Sequence, residues 1–181
     1  MSTDSHPTQQ TDDPQGRFMD SFKEAMSLFP SGVTIITTRD DAGEPVGMTA
    51  SAFVSVSLTP PLVLESIAKT AQMHEHLMRT DRYAVSILAE GQHLVSNHFA
   101  GWGQEGFTPT LANLGGLPTV QGSLAQLTCK IVNRVDAGDH TLFIGCVEEL
   151  SLSTEGLDPL IYAKRGYRAL APVPTQEDPH G

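Results

Sequence analysis

The chain predicts a mainly β fold: an antiparallel β-barrel, closed or nearly closed, with a few helices between its strands. Six or more short runs are β-branched or alternate apolar with polar residues. They follow one another in hairpin order, with turn residues between them. Apolar residues make up 39% and charged residues 18%, so Gly, Ser, Thr and Pro fill much of the remainder, as many strands and turns require. Closing such a sheet removes exposed edges. At 181 residues, one domain with a sizeable core is expected.

Residues 1–14 and 171–181 are polar, Pro-bearing and aperiodic, and read as disordered tails around a domain spanning 15–170. "RFMDSFKEAMSLF" sets Phe18, Met19, Phe22, Ala25, Met26 and Phe29 at helical spacing, which predicts an amphipathic helix from Gln15 to Leu28, ended by Pro30. "GVTIITT" is a β-branched run, and the turn "RDDAGEP" folds it back into "VGMTASAFVSVSLTPP" as a hairpin. In the second half of that segment Phe53, Ser55 and Ser57 fall on one face, with Val54, Val56 and Leu58 on the other. Its first half, Gly47 to Ala52, is small and hydroxyl-rich, with too little bulk to fill a core.

"LVLESIA" after Pro60-Pro61 reads as a buried strand, "AQMHEHLM" as a short helix and "YAVSILA" as another strand. Residues 91–100 are expected to be helical, and "GWGQEGFTPTLANLGGLP" to be a long loop. "LAQLTCKIVNRVD" and "HTLFIGCVEELSL" make a long strand pair joined at "AGDH", and "PLIYA" with "YRAL" closes the chain.

The net charge is -10, with the tails acidic; 16 acids face 11 bases between residues 15 and 170. An acidic domain without a basic stripe argues against nucleic acid or an anionic membrane as partner. No apolar run reaches membrane-spanning length and the polar start is no signal peptide, so the cytoplasm is the expected compartment. Cys129 and Cys146 have no zinc spacing and are expected to be reduced core thiols.

Most motif readings fail. GxGxxG after a strand, GxxxxGK[ST] and the nucleophile elbow GxSxG are all missing, and "GWGQEG" follows a helix. His74 and His76, at i and i+2 on a helix, point to different sides and read as two solvated histidines rather than chelators. Glu148 and Glu149 are adjacent in a strand and face opposite ways, so they read as one solvated and one strand-end residue, not an acid/base pair. No metal site is expected.

Two clusters remain. In the first, the small residues Thr49, Ala50, Ser51 and Ala52 let a flat ring approach the backbone, while Ser66, Lys69 and Thr70 on the next strand suit a phosphate. A tight barrel corner with a chance lysine accounts for the same residues equally well. The second is His140 in "AGDHTLFIG", either a turn residue or a rim donor to a cofactor phosphate or nicotinamide amide.

In order along the chain, "FPSGVTIITT", "GEPVGMTASAFVSVSLTPPLVL", "AKTA", "RYAVSILAEGQ", "HFA" with Phe107 eight residues after Phe99, "CKIVNRVDAGDHTLFIGCV" and "PLIYAKRGYRAL" resemble the flavin reductase family. These are small NAD(P)H:flavin oxidoreductases with an FMN-binding split barrel of antiparallel Greek-key type, and the resemblance spans Phe18 to Leu170. It implies a homodimer that reduces FMN or FAD with NADH or NADPH and supplies reduced flavin to a separate monooxygenase. It implies flavin contacts from Thr49, Ala50, Ser51, Ala52, Phe53, Ser66, Ala68, Lys69, Thr70, Trp102 and Phe107. Nicotinamide contacts are implied for Pro45, Gly47, His140, Arg165, Gly166 and Tyr167, with His140 orienting the nicotinamide half as the catalytic candidate. Hydride transfer between stacked rings needs no general base, in keeping with the lack of an acid/base constellation. The chain departs from the family pattern at Ala71-Gln72 after Thr70, at Gly106 and at Glu65. A split-barrel flavin carrier or sensor without turnover is the alternative reading.

Overall fold

The computed structural model describes residues 13–171. The tail readings therefore fall outside the described residues, apart from positions 13, 14 and 171. Helix α1 (Pro14–Ser27) starts where Asp13 Oδ1 accepts the Gln15 N–H at 3.1 Å and proline takes the first helical position. The expected amphipathic helix is present, shifted by one residue, but none of its residues is buried. Phe18 is 68% exposed and Phe29, just beyond the helix, is 76% exposed.

Seven strands form the main sheet: β2 (Thr34–Arg39), β3 (Pro45–Ala50), β4 (Phe53–Leu58), β5 (Pro61–Ala68), β6 (Arg82–Ile87), β9 (Ala125–Ala137) and β10 (His140–Leu152). Their spatial order is β3-β2-β6-β9-β10-β5-β4, and every pairing is antiparallel. Strands β3 and β4 are opposite edges of that sheet, yet only Ser51 and Ala52 separate them in the chain. Two linking residues let Ala50 and Phe53 stand at most about 11 Å apart. Laid flat, seven strands would hold their edges roughly 29 Å apart. The sheet must therefore curl into a barrel, split between β3 and β4. Hairpins β2–β3, β4–β5 and β9–β10 and the lone β6 are assembled out of chain order, as the Greek-key expectation requires.

Outside the barrel lie a small sheet of β1 (Ser31–Gly32), β11 (Ile161–Ala163) and β12 (Gly166–Arg168), and helices α2 (Gln72–Arg79) and α3 (His93–Phe99). The expected long loop is only partly one. It contains the hairpin β7 (Leu111–Leu114) and β8 (Leu117–Val120), turned by Gly115 and Gly116 at φ +55° and +87°. Two glycines with positive φ make the tight turn whose twist suits a hairpin, and Asn113 Oδ1 accepts the Gly116 N–H at 3.1 Å. Buried hydroxyls dock this hairpin on the barrel: Thr37 donates to Pro118 O, and Ser86 Oγ accepts the Val120 N–H at 2.9 Å.

Strand β2 is buried on both faces, which explains its unbroken β-branched run. Ile36 joins the barrel core with Ile67, Leu77, Val85 and Phe143. Its neighbour Ile35 joins a second core of Val33, Leu88, Val95, Val120 and Leu160. Thr34 and Thr38, also buried, donate to Ala50 O at 3.0 Å and Arg82 O at 3.1 Å.

Two sequence expectations are corrected here. His74 is not a free surface histidine: it is half-buried, its Nε2 shares a 2.9 Å hydrogen bond with Thr141 Oγ1, and its ring stands edge-on to Phe143 at 5.7 Å. Glu148 is neither free nor a strand end, because Arg82 Nε donates to its Oε2 at 2.8 Å. A register shift between Val147 and Glu149 breaks the simple alternation. Cys129 and Cys146 are free thiols, with Cys129 buried.

Not every buried polar group is paired as Thr34 and Thr38 are: the Tyr83 and Thr128 hydroxyls have no hydrogen-bond partner, and Glu65 is the acidic case. Glu65 is fully buried in β5, and neither carboxylate oxygen finds a partner. Burial raises its pKa well above the usual carboxylate range. Burial likewise pushes the neighbouring Cys129 thiol up to about 12 and raises the Tyr83 phenol, to which Cys129 and Glu65 add. The folded chain thus holds a proton on Glu65 that the unfolded chain releases above about pH 4.3. Stability lost through Glu65 grows as pH rises above that value. Glu65→Met, close in volume and uncharged, is predicted to stabilise the fold by about 1–3 kcal/mol at pH 8 and by less at pH 4.5. Urea unfolding at the two pH values measures this, and an equal gain at both would contradict it.

Candidate active site

A cleft of about 150 Å³ opens at the barrel split, lined by Val33, Thr49, Ser51, Ser96, Ala100, Trp102, Tyr162 and Tyr167. Its floor is the end of β3, where side chains are small. One wall is the second half of α3 with the residues after it, and the other is the β11–β12 hairpin. Thr49 Oγ1 donates to Ser96 O at 2.6 Å, tying floor to wall. On the far side the Tyr167 hydroxyl lies 2.7 Å from Asn97 Oδ1 and 3.0 Å from Ser96 Oγ. Tyr162 and Tyr167 meet edge to face at 5.6 Å. The cleft is polar at hydroxyls, apolar elsewhere and free of acids and bases other than its phenols.

Of the first sequence cluster, Thr49 and Ser51 line this cleft. Ala50 is buried and Phe53 packs on the barrel core, while Ala52 is exposed at the split with its carbonyl accepting the Ser66 N–H at 3.2 Å. Trp102 lines the mouth and is 71% exposed. Phe107 packs against the second core and meets His98 edge to face at 6.3 Å.

Ser66 and Ala68 end β5, and Lys69 and Thr70 follow in the turn, on the same rim as His140, which pairs in register with Ala68. Lys69 is already engaged there: it ion-pairs with Asp136 and donates to Gly138 O at 2.8 Å. His140 Nδ1 is 2.7 Å from Asp139 Oδ1. That hydrogen bond, followed by the imidazole's charge, holds the Asp139 carboxyl below its ordinary value.

The residues grouped by resemblance for nicotinamide are dispersed. Tyr167 is in the cleft, and Pro45 and Gly47 line a separate groove with Gln72, His76, His98 and Phe99. Arg165 sits in the β11–β12 turn, where Lys164 and Arg165 have φ +50° and +58°, above a depression shared with Asp20 and Glu24 of α1. A Cβ on Gly166 would stand 3.1 Å from Arg168 Nη1, the tip of an exposed side chain able to move aside. Among the described residues no three His, Cys, Asp or Glu side chains converge as a metal site would require.

Ser96, Ala100, Tyr162 and Val33 also line the cleft and were not singled out from the sequence. One signal was available: Ser96 and Ala100, four apart, place two small side chains on one helical face. Tyr162 had none of its own: it reaches the cleft beside Tyr167, whose contact with α3 bridges about 70 residues of chain.

A split antiparallel barrel with a small-floored, aromatic-walled cleft at its seam defines a binder of a flat cofactor. The chain belongs to the flavin reductase like domain family, whose model matches residues 26–171. It is 42% identical over 151 residues to the reductase component of 4-hydroxyphenylacetate 3-monooxygenase from Thermus thermophilus, covering 83% of this chain and 96% of that one. It is 43% identical over 150 residues to an NADH-dependent flavin reductase from a Rhodococcus species, covering 82% and 84%. The solved structure of the flavin reductase PheA2 in its native state superposes with a TM-score of 0.80 at 44% identity, covering 84% of this chain and 98% of that one. The expected fold class, family and split-barrel architecture agree with these relatives.

Gly47 shows how tightly the cleft's helix is seated. A Cβ there would stand 2.6 Å from Phe99 Cε1 and 3.1 Å from Thr37 Cγ2. Gly47→Ala is therefore predicted to destabilise the fold by about 1–3 kcal/mol through overpacking. For a domain of this size that lowers Tm by about 2–4 °C per kcal/mol, measurable by a thermal melt; an unchanged Tm would show that Phe99 yields freely.

Proposed function

We propose that the chain is an NAD(P)H:flavin oxidoreductase that takes FMN or FAD in the cleft at the barrel split and passes reduced flavin to a separate monooxygenase. The observation that carries this reading is the cleft: a floor of small residues between aromatic walls, with hydroxyls at its edge. That combination admits a flat ring and fixes its orientation. A bound flavin supplies the hydride acceptor, so the protein's part is to bind, orient and shield. Ser51 offers an exposed hydroxyl at the split, and Trp102 stands free to cover a ligand. The named relatives, a monooxygenase reductase component and an NADH-dependent flavin reductase, support the reaction and the kind of partner.

His140 is proposed to orient the nicotinamide half. Asp139 holds its Nδ1, which leaves Nε2 to meet a ligand amide or phosphate. Ser66, Ala68, Lys69 and Thr70 are proposed on the flavin phosphate side; Lys69 would exchange Asp136 for the phosphate. Pro45, Gly47, Arg165 and Gly166 remain proposed nicotinamide contacts. A working homodimer is supported by the unburied apolar stripe of α1 and by β4, where Val54 and Val56 are 52% and 49% exposed. Free thiols at Cys129 and Cys146 suit the reducing cytoplasm.

NADH oxidation at 340 nm, with FMN, FAD or riboflavin added, is expected to exceed background by orders of magnitude. Tight stoichiometric flavin without turnover would indicate a carrier instead. His140→Ala is predicted to raise the nicotinamide KM by about tenfold with flavin affinity held. Loss of flavin at constant KM would remove that role. Sedimentation is expected to give twice the 19.4 kDa of the chain. Phe22→Glu, placing charge in the α1 stripe, should shift it toward monomer; a wild-type monomer would refute the dimer.

A further inference from the structure

The cleft's exposed element and its half-buried one are joined through a single side chain. Asn97 stands at the turn of α3 where the helix gives way to the segment carrying Trp102. Its backbone carbonyl accepts the Ala100 N–H at 3.2 Å and the Trp102 N–H at 2.9 Å. Its side-chain oxygen, Oδ1, lies 2.7 Å from the Tyr167 hydroxyl. A phenol has one proton to give, and the shorter contact is to an amide oxygen that can only accept. The proton therefore goes to Asn97, and the phenol oxygen is left to accept from Ser96 Oγ at 3.0 Å. Ser96 is itself held from the opposite side, its carbonyl accepting the Thr49 hydroxyl. A continuous chain of hydrogen bonds thus runs from the cleft floor, through α3, to β12, and one branch of it ends at the backbone of Trp102.

The Tyr167 ring is fixed independently of that hydroxyl, by the second core, by Tyr162 at 5.6 Å and by His93 at 6.3 Å. It is therefore the anchored end, while α3 has only seven residues and Trp102 is largely exposed. We infer that Tyr167 is a positioning residue: its phenol holds Asn97, and through Asn97 sets where Trp102 closes over the cleft, so that it governs how long flavin is retained. This rests on the reading that flavin occupies the cleft. Direct contact of the phenol with the nicotinamide cofactor is not needed for the effect, because its proton is already given to α3.

Trp102 is the only tryptophan in the chain, so its emission reports on this segment without a label. In the full-length protein, FMN titration is expected to quench Trp102. Tyr167→Phe keeps the ring and removes the hydroxyl. It should lower the anisotropy of Trp102 emission before any ligand is added, weaken FMN binding about tenfold in the quenching titration, and raise the flavin KM far more than it lowers kcat. Asn97→Ala should reproduce this loss, and the double variant should be no worse than the poorer single one, since both break one link. Circular dichroism checks that each variant is folded. Additive losses in the double variant, or a Tyr167→Phe titration identical to wild type, would overturn the inference while leaving the cleft reading intact. Wild-type Trp102 emission that ignores saturating FMN would remove the cleft reading, and the inference with it.

Discussion

Two residues, Ser51 and Ala52, constrain everything else in this fold. They join strands that the sheet order places at opposite edges, so the sheet has no choice but to curl until those edges approach. The edges do not then pair, because β3 is hydrogen-bonded to β2 and β4 to β5, with no ladder across the seam. A closed barrel would have filled that gap with backbone hydrogen bonds. A split one leaves the small side chains of Thr49, Ser51 and Ala52 facing the seam, with polar backbone nearby. The scarcity of bulk from Gly47 to Ala52 is thus the sequence's mark of a seam, and a seam is where a flat ligand can lie against main chain. A tight corner and a floor for a flat ring are compatible readings of that strip.

The rest of the cleft is assembled from elements outside the barrel, and three contacts of different kinds seat it. Gly47 lets the Phe99 ring come within contact of the β3 backbone, Thr49 bonds the helix to the same strand, and Tyr167 bonds it to the small sheet. The barrel supplies the place and the precision comes from these attachments. Buried hydroxyls do similar service elsewhere. Thr37 and Ser86 fasten the β7–β8 hairpin to the barrel wall through main-chain groups, which lets a glycine-turned hairpin pack tightly without a large apolar face of its own.

What the sequence made legible follows from range. Strands, the two shorter helices and the long β9–β10 pair were readable because periodicity and turn residues are local. The β7–β8 hairpin carries one hairpin signal, Gly115-Gly116 flanked by Leu114 and Leu117, but its strands have only four residues each, too few for a period to show. His74 was misjudged because its partners, Thr141 and Phe143, come from a strand about 70 residues away. The bulge at Glu148 altered the facing of that strand in a way strict alternation cannot anticipate. At the site, Thr49, Ser51, Trp102 and Tyr167 were all named from sequence, but their assembly into one cleft, apart from His140 and Arg165, depends on the curl of the sheet.

That curl also separates two properties that are usually entangled in small enzymes. The barrel core is closed by Ile36, Ile67, Val85 and Phe143, and it tolerates even an unpaired carboxyl at Glu65 because the surrounding burial keeps that group protonated. None of these residues reaches the cleft. Conversely, the cleft's aromatic wall and Trp102 belong to segments whose anchoring is a handful of hydrogen bonds and one close ring contact. Substitutions in α3, the segment after it, or the β11–β12 hairpin can therefore change how a ligand is held at little cost to the barrel. Changes to core-facing residues such as Ile67 of β5 or Val85 of β6 alter stability and leave the cleft lining standing.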